Sequence, residues 1–246
     1  MMKPRLFIKA NLENGLEIEL DHEMRNYLVN TLRRERGTEV FLFNDQDDQL
    51  EWEATLVETH PRGRLLVHHS VHVSRESPLK VTLVSGLLKG EAMDWIIQKA
   101  TELGVDTFIP LQTERTVARI TENRWPAKER RWRKIVQEAA ELSRRVRLMK
   151  IHPPVMLEQL SGLLPQGPRC LFWEEDQGPR LRLRSLPHPG TKIILMIGSE
   201  GGFSVEEVRR AEREMGFQLF SLGSRVIRAE TAAIAVVAAA QILWGE

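Results

Sequence analysis

The chain has 246 residues, of which 42% are hydrophobic and 28% are charged, and its formal net charge is +1. This length permits one large domain, or a small domain joined to a medium one, each with its own core. The single cysteine, Cys170, excludes disulfides within the chain and a thiolate metal cluster. Because no apolar run reaches the roughly 18 to 20 residues of a membrane span and the start lacks a signal-peptide core, we expect a cytoplasmic protein without membrane contact.

The first 73 or so residues predict a small β-rich domain, which we place at residues 1–73. Alternating patterns predict strands at Arg5 to Ile8, Glu17 to Leu20, Glu39 to Asn44, Leu50 to Glu58 and Leu65 to Val73. A helical stretch around Tyr27 to Leu32 interrupts them and ends near Gly37, a typical C-cap residue. With nine basic and thirteen acidic residues, this domain is not basic overall. Any RNA contact must therefore come from local clusters such as Arg33, Arg34 and Arg36.

After the polar stretch Ser74 to Pro78, strands alternate with helices, a pattern typical of parallel strands joined by crossovers. We therefore predict an α/β domain at residues 78–246. Its predicted strands are Val81 to Leu88, Thr107 to Leu111, Cys170 to Trp173, Lys192 to Ile197 and Gln218 to Leu222. Its predicted helices are Met93 to Leu103, Trp125 to Leu148, Ser204 to Met215 and Thr231 to Trp244.

The second of these predicted helices, Trp125 to Leu148, is strongly basic: between Arg124 and Lys150 there are ten basic residues and three acidic ones. A solvated helix face explains such a run equally well. Arginine outnumbers lysine here, and the guanidinium fork suits phosphate oxygens. The segment is therefore a candidate surface for nucleic acid.

A glycine-rich loop follows the apolar strand Lys192 to Ile197. It reads Gly198-Ser199-Glu200-Gly201-Gly202-Phe203, and Ser204 with Glu207 then form a capping box that predicts a helix start. Glycines at the end of a strand let the backbone approach a ligand closely. Alone this signal is weak, since such a loop is more often only a turn.

A second loop, Gly223 to Glu230, follows the last predicted strand and leads into an almost wholly apolar helix, Thr231 to Trp244. A helix that is apolar on all sides is expected to be buried. It is too short to span a membrane. Either it lies at a subunit interface or it forms a central core helix.

Together, Ile197 to Ser204 and Leu222 to Ala232 resemble the RsmE family of SPOUT methyltransferases, which methylate N3 of a uridine in 16S ribosomal RNA. Leu87-Leu88-Lys89, Gln98 to Val105 and Thr113-Glu114-Arg115 agree with its catalytic domain, and His22 to Gly37 resembles the start of its N-terminal domain. The resemblance implies a PUA-like β-barrel followed by an α/β domain with a C-terminal trefoil knot, a rare exception to unthreaded chains. It also implies a homodimer that acts on the small ribosomal subunit, with uridine 1498 as the family target.

The resemblance further implies an S-adenosylmethionine pocket, with S-adenosylhomocysteine as product and no metal. The implied cofactor residues are Met196, Gly198, Ser199, Glu200, Gly201, Leu222, Gly223, Arg225, Ile227 and Thr231, with Met196, Leu222 and Ile227 as apolar walls. For catalysis we predict Glu200, or a water, as acceptor of the uridine proton, and Arg225 or Arg228 as the group that stabilises the resulting anion. The predicted RNA-binding residues are Arg33, Arg34, Arg36, Arg115, Arg144 and Arg145.

Four positions depart from the family pattern. At two of them, Ser199 stands where proline is usual and Leu142 where glutamine is usual. Arg144 likewise replaces a small residue, and Met149 stands where proline is common. Two other functions therefore stay open, a non-catalytic RNA-binding factor of ribosome assembly and a SPOUT ribose 2′-O-methyltransferase.

Overall fold

The computed structural model describes residues 3–174 and 181–245. The chain forms two compact units, one of Met1–Glu76 with Ala140–Leu148 and one of Ser77–Ala139 with Met149–Glu246. The segment 140–148, which the sequence pattern assigns to the second domain, thus groups with the first unit.

The first unit is built on one five-stranded sheet in the order β1-β3-β4-β5-β2. All neighbours pair antiparallel except β1 and β3, which are parallel. Alternate residues of these strands, such as Val40, Leu42, Leu65 and Val67, form its core because successive side chains point to opposite faces. The strands are Arg5–Phe7 (β1), Glu17–Glu19 (β2), Glu39–Phe43 (β3), Leu50–Glu58 (β4) and Arg64–His72 (β5).

The helical segment between β2 and β3 begins earlier than its pattern predicts. Helix α1, His22–Arg25, is capped by Asp21, whose side chain accepts a hydrogen bond from the Met24 amide at 2.7 Å. One wide π-helical turn, Asn26–Thr31, continues it and buries Leu28. Arg33 then adopts a positive φ of 51°, which ends the helical segment.

The long basic helix α3 spans Trp125–Ser143, so its predicted extension to Leu148 is wrong. Arg144 has a φ of +62°, in the left-handed region, and the chain leaves the helix there. The next residue, Arg145, is 7% exposed and pairs at 2.9 Å with Glu76, which is also 7% exposed. Glu76 in turn accepts a hydrogen bond from the Val146 amide at 3.0 Å. This buried ion pair holds the segment after α3 in the first unit, a tertiary constraint that helical periodicity does not contain.

The second unit contains a parallel sheet in the order β12-β10-β11-β6-β7-β8, with β9 also pairing to β7. This confirms the predicted α/β class. Its central strands are fully buried, which explains their nearly continuous apolar runs. The strands are Lys80–Gly86 (β6), Val105–Gln112 (β7), Lys150–Ile151 (β8), Val155–Met156 (β9), Arg169–Phe172 (β10), Lys192–Ile197 (β11) and Gln218–Phe220 (β12).

Helices cover both faces of this sheet. Helices α2, Ala92–Glu102, and α6, Ala229–Trp244, pack on each other and on the central strands. On the opposite face, α4, Leu157–Leu160, and α5, Val205–Met215, join the core around Leu171. The strands β8 and β9 and helix α4 were not predicted, because segments of two to four residues are too short to show periodicity.

Helix α6 is buried on one face only. Ala233, Val236 and Val237 are fully buried, whereas Ile242 is 80% exposed and Leu243 is 44% exposed. The expectation that this helix is buried all round is therefore not met within a single chain. Among the residues that the structure describes, no helix combines the length and apolarity needed to cross a membrane.

Candidate active site

A cavity of about 570 Å³ lies at the carboxyl ends of three neighbouring strands of the second unit. Its walls are the end of β10, the glycine loop after β11, the loop after β12 and the first turn of α6, with Ala92 from α2. In parallel α/β sheets, ligands bind at this edge because the loops there are free to vary. Its volume falls within the range of roughly 300 to 1,000 Å³ of small-molecule sites.

The capping box predicted at the start of α5 is confirmed. The Ser204 hydroxyl accepts from the Glu207 amide at 3.2 Å, and the Glu207 carboxylate accepts from the Ser204 amide at 2.9 Å. The other oxygen of Glu207 accepts from the Glu114 amide at 2.9 Å. One buried carboxylate thus ties the glycine loop to the loop after β7, which gives the cavity wall a defined position.

Close backbone packing explains two of the glycines around this loop. A Cβ atom on Gly86, the last residue of β6, would lie 2.2 Å from the Ser199 amide nitrogen. A Cβ atom on Gly201 would lie 2.8 Å from the Arg115 carbonyl oxygen. No side chain fits at either position, so the loop lies directly against backbone on both sides.

Glu200, Arg225 and Arg228 all line the cavity. The Glu200 carboxylate accepts a hydrogen bond from the Lys89 amide at 3.1 Å, which leaves its second oxygen available to the cavity. Arg225 and Arg228 are exposed, and Arg228 lies 3.8 Å from Glu230. The site therefore presents a positioned carboxylate together with two guanidinium groups.

Seven of the ten predicted cofactor residues line the cavity, namely Gly198, Ser199, Glu200, Leu222, Gly223, Arg225 and Ile227. Met196 does not line the cavity: on β11 it lies in the sheet core and is fully buried, and its role as an apolar wall stays a prediction. Gly201 packs against Arg115 instead, and Thr231 lines a neighbouring cleft with Trp95.

Sequence reasoning missed, among other lining residues, the whole wall of the cavity at the end of β10. Phe172, Trp173 and Glu174 come from the end of β10 and form one wall. Their strand was predicted, but its place between β11 and β12 was not. Since the loops after all three strands converge only in that order, nothing local to residues 172–174 indicates a binding role.

The predicted RNA-binding residues occupy different environments. In the first unit Arg33, Arg36 and Arg144 are exposed and Arg34 is half-buried, while in the second unit Arg115 is exposed. Arg145 is buried in its pair with Glu76. The structure holds this side chain inside the first unit, and its role as an RNA contact stays a prediction.

Two further groups bear on the chemistry of the second unit. Burial in the middle of β10 raises the pKa of the Cys170 thiol to about 12, so this thiol is neutral at ordinary pH. Cys170 is not part of the cavity lining. No group of three or more histidine, cysteine or acidic residues is placed to hold a metal ion within residues 3–174 and 181–245. The chemistry of the cavity is that of carboxylates, guanidinium groups and open backbone.

Comparison with known proteins defines the class. The protein-family model described as an RNA methyltransferase domain matches residues 75–241, and this range includes every residue of the cavity lining. Together with the parallel sheet and its cavity, this match defines an RNA methyltransferase enzyme.

Relatives define the family within that class. Ribosomal RNA small subunit methyltransferase E of Bacillus subtilis is 30% identical over 238 residues, which cover 94% of this chain and 92% of that protein. The protein of the same name from Synechocystis is 36% identical, and the match covers 98% of this chain and 78% of that protein. The chain belongs to the RsmE family.

Solved structures agree with this assignment. A putative methyltransferase from Legionella pneumophila in complex with S-adenosylmethionine has a TM-score of 0.92 at 31% identity, and the match covers 100% of both chains. Ribosomal RNA small subunit methyltransferase E of Neisseria gonorrhoeae, bound to S-adenosylmethionine, has a TM-score of 0.89 at 30% identity over 99% of both chains.

Proposed function

We propose that this protein methylates N3 of a uridine, uridine 1498 by family resemblance, in the 16S ribosomal RNA of the small subunit, with S-adenosylmethionine as donor. The observation that carries the proposal is the cavity built by the loops after β10, β11 and β12. It lies where the family signature predicts the cofactor, and two similar structures contain that cofactor. A cytoplasmic protein, with the ribosomal subunit as partner, follows from this activity.

The residues of the cavity fit this cofactor. Leu222, Ile227 and Phe172 provide apolar surface for the adenine, and the glycine loop provides open backbone groups. The Ser199 hydroxyl is buried and has no hydrogen-bond partner among the described residues, so a polar ligand atom would satisfy it. Once bound, S-adenosylmethionine supplies a methyl group on a positively charged sulfur.

The protein's own part in the reaction is to position the uridine and manage its charge. The uracil N3 atom carries a proton that must leave as the N–C bond forms. Glu200, oriented by its hydrogen bond from the Lys89 amide, accepts that proton directly or through a water. Arg225 or Arg228 stabilises the negative charge that develops on the uracil oxygens.

Methyl transfer to small subunits that lack the modification tests the proposal, with the nucleoside products separated by mass spectrometry. We expect 3-methyluridine from the wild type. For Glu200→Gln we expect a rate at saturating cofactor that is about 10²- to 10⁴-fold lower, the usual contribution of a general base. The matched control is Glu206→Gln, an exposed carboxylate outside the cavity, which should retain the wild-type rate.

Other outcomes favour the alternatives. A 2′-O-methyl nucleoside as product would indicate the ribose methyltransferase. Absence of cofactor binding at millimolar concentration in calorimetry would favour the non-catalytic assembly factor. If Glu200→Gln and Arg225→Ala bind the cofactor and transfer methyl groups normally, the assigned catalytic roles are refuted.

We also propose a barrel in the first unit, a knot in the second unit and a dimer of two chains. The first unit is a PUA-like barrel, and the loops after β11 and β12 form a trefoil knot in the second unit, supported by the tight passage of Gly86 against Ser199. A homodimer covers the exposed apolar surface of α6, in particular Ile242 and Leu243. Light scattering at micromolar concentration should give twice the chain mass, and a monomer would contradict the dimer.

A further inference from the structure

A second cleft lies beside the cofactor cavity in the second unit. Its volume is about 630 Å³, and it is formed by the start of α2, the middle of α3 and the first turn of α6. Ala92, Arg228 and Glu230 belong to the lining of both spaces. A group bound in this cleft therefore lies next to the ligand of the cavity.

An indole ring supplies the flat apolar surface of this cleft. Trp95 is the single aromatic residue in the lining that the structure describes, and it is 50% exposed. The Lys99 ammonium lies over the ring, 4.8 Å from its centroid, and is itself paired with Glu102 at 2.7 Å. This cation covers part of the ring and fixes its orientation. Half of the indole stays open to a planar ligand.

The helices place this ring next to the proposed catalytic groups. Ala92 and Trp95 are three residues apart in α2 and so share one face of the helix. Helix α2 packs on α6, whose N-cap residue is Arg228. The hydrogen bond from the Lys89 amide to Glu200 ties the glycine loop to the segment just before α2. The indole, the guanidinium and the carboxylate therefore border the junction between cleft and cavity.

The charge of the cleft favours a neutral group over a phosphate. Asp94 pairs with Arg131 at 2.7 Å, and Arg228 lies 3.8 Å from Glu230, so both guanidinium groups of the lining have a carboxylate nearby. Two further carboxylates are exposed at the cleft, those of Glu91 and Glu138. Acidic groups thus outnumber basic ones, which repels a phosphate and leaves an uncharged ring unaffected.

We propose that this cleft receives the extruded target uracil, with the ring stacked on the Trp95 indole and its N3 edge directed into the cofactor cavity. The inference rests on the proposed function for the identity of the base. An enzyme that acts on a base takes it out of the helical stack and holds it against apolar or aromatic side chains. In this arrangement the ring face contacts Trp95, and the N3 edge is free to face Glu200 and Arg228.

Steady-state methyl transfer to unmodified small subunits, at saturating cofactor, tests this proposal. Trp95→Ala removes one base–aromatic stack, so we expect kcat/KM to fall about 5- to 150-fold. Trp95→Phe retains an aromatic face and should recover most of that loss. Both variants should bind S-adenosylmethionine in calorimetry as the wild type does, because Trp95 is not part of the cavity lining.

The matched control is Met156→Ala. Met156 is an apolar residue of the same unit with almost the same exposure, 51%, and it lines neither the cleft nor the cofactor cavity. This variant should keep the wild-type kcat/KM. A wild-type kcat/KM for Trp95→Ala would overturn the proposal, and so would an equal loss for Met156→Ala. If Trp95→Ala changes the mass measured by light scattering, the indole belongs to a subunit interface and the proposal is also overturned.

Photochemical cross-linking tests the contact without relying on turnover. Small subunits reconstituted with 5-iodouridine in the 16S ribosomal RNA are irradiated with the wild-type protein, and the linked peptides are identified by mass spectrometry. We expect a cross-link at Trp95, and cross-links of the second unit that never include Trp95 would overturn the proposal. If the wild type gives no 3-methyluridine from ordinary subunits, the proposed function fails, whereas the cross-link still shows whether Trp95 contacts a uracil.

Discussion

Replacing Gly86 by alanine should damage both stability and catalysis, because this glycine ends β6 directly beneath the glycine loop. The new Cβ atom would lie 2.2 Å from the Ser199 amide nitrogen and 2.7 Å from the Gly198 carbonyl carbon. Both are backbone atoms, so no side-chain rotation relieves the clash. To reach an ordinary contact of about 3.4 Å, the loop or the strand must move by more than 1 Å.

This displacement sets the expected loss of stability and of reaction rate for Gly86→Ala. Overpacking of a core costs about 1 to 3 kcal/mol, and for a chain of this size each kcal/mol lowers the melting temperature by roughly 2 to 4 °C. A misplacement of about 1 Å in a site reduces the rate by on the order of 10²-fold. We therefore expect a melting temperature lower by about 2 to 12 °C and a larger relative loss of methyl transfer.

Differential scanning calorimetry and the methyl-transfer assay measure the two effects on the same preparation. The matched control is Gly162→Ala, because a Cβ atom at Gly162 has nothing within 4 Å. That variant should keep wild-type stability and rate. If Gly86→Ala also behaves as wild type, the tight passage between β6 and the loop does not exist in solution, and the packing argument fails.

Two further predictions concern buried groups. Arg145→Ala leaves the Glu76 carboxylate buried without its ion-pair partner and should cost about 3 to 5 kcal/mol in urea denaturation, whereas Arg133→Ala breaks an exposed pair with Glu129 and should change little. If the two variants are equally stable, the buried pair does not stabilise the first unit. Cys170, whose pKa is raised from 9.0 to about 12, should react with an aromatic disulfide at pH 8 only after unfolding. Because the unfolded thiol ionises first, stability should fall as the pH rises from about 9 towards 12, and rapid native labelling would refute this burial.

Local patterns predicted the parts of the site that depend on neighbours in sequence. Strand β11 has the predicted bounds, Lys192–Ile197, because its run of apolar residues is bounded by charge and glycine. The capping box of Ser204 and Glu207 is likewise a relation between residues three apart. Most of the predicted cofactor residues lie in the two loops that these patterns delimit.

Sequence patterns were insufficient at positions whose conformation or burial depends on residues far away in the chain. Helical periodicity alone carries α3 through to Leu148, but the pair between Arg145 and Glu76 binds that segment to the stretch after β5, 69 residues earlier in the chain. Met196 belongs to an apolar strand whose buried faces cannot be told apart from sequence, since a parallel strand is covered on both sides.

The sequence by itself determined the α/β class of the second unit, the two loops of the site and the family, because these depend on local periodicity and on motifs contiguous in the chain. The tertiary structure alone decided that β10 lies between β11 and β12, and so brought Phe172, Trp173 and Glu174 into the cavity. It also decided that Trp95 and Arg228 line one cleft beside that cavity. Strand order and the convergence of distant side chains are set by packing between distant segments, which no local pattern encodes.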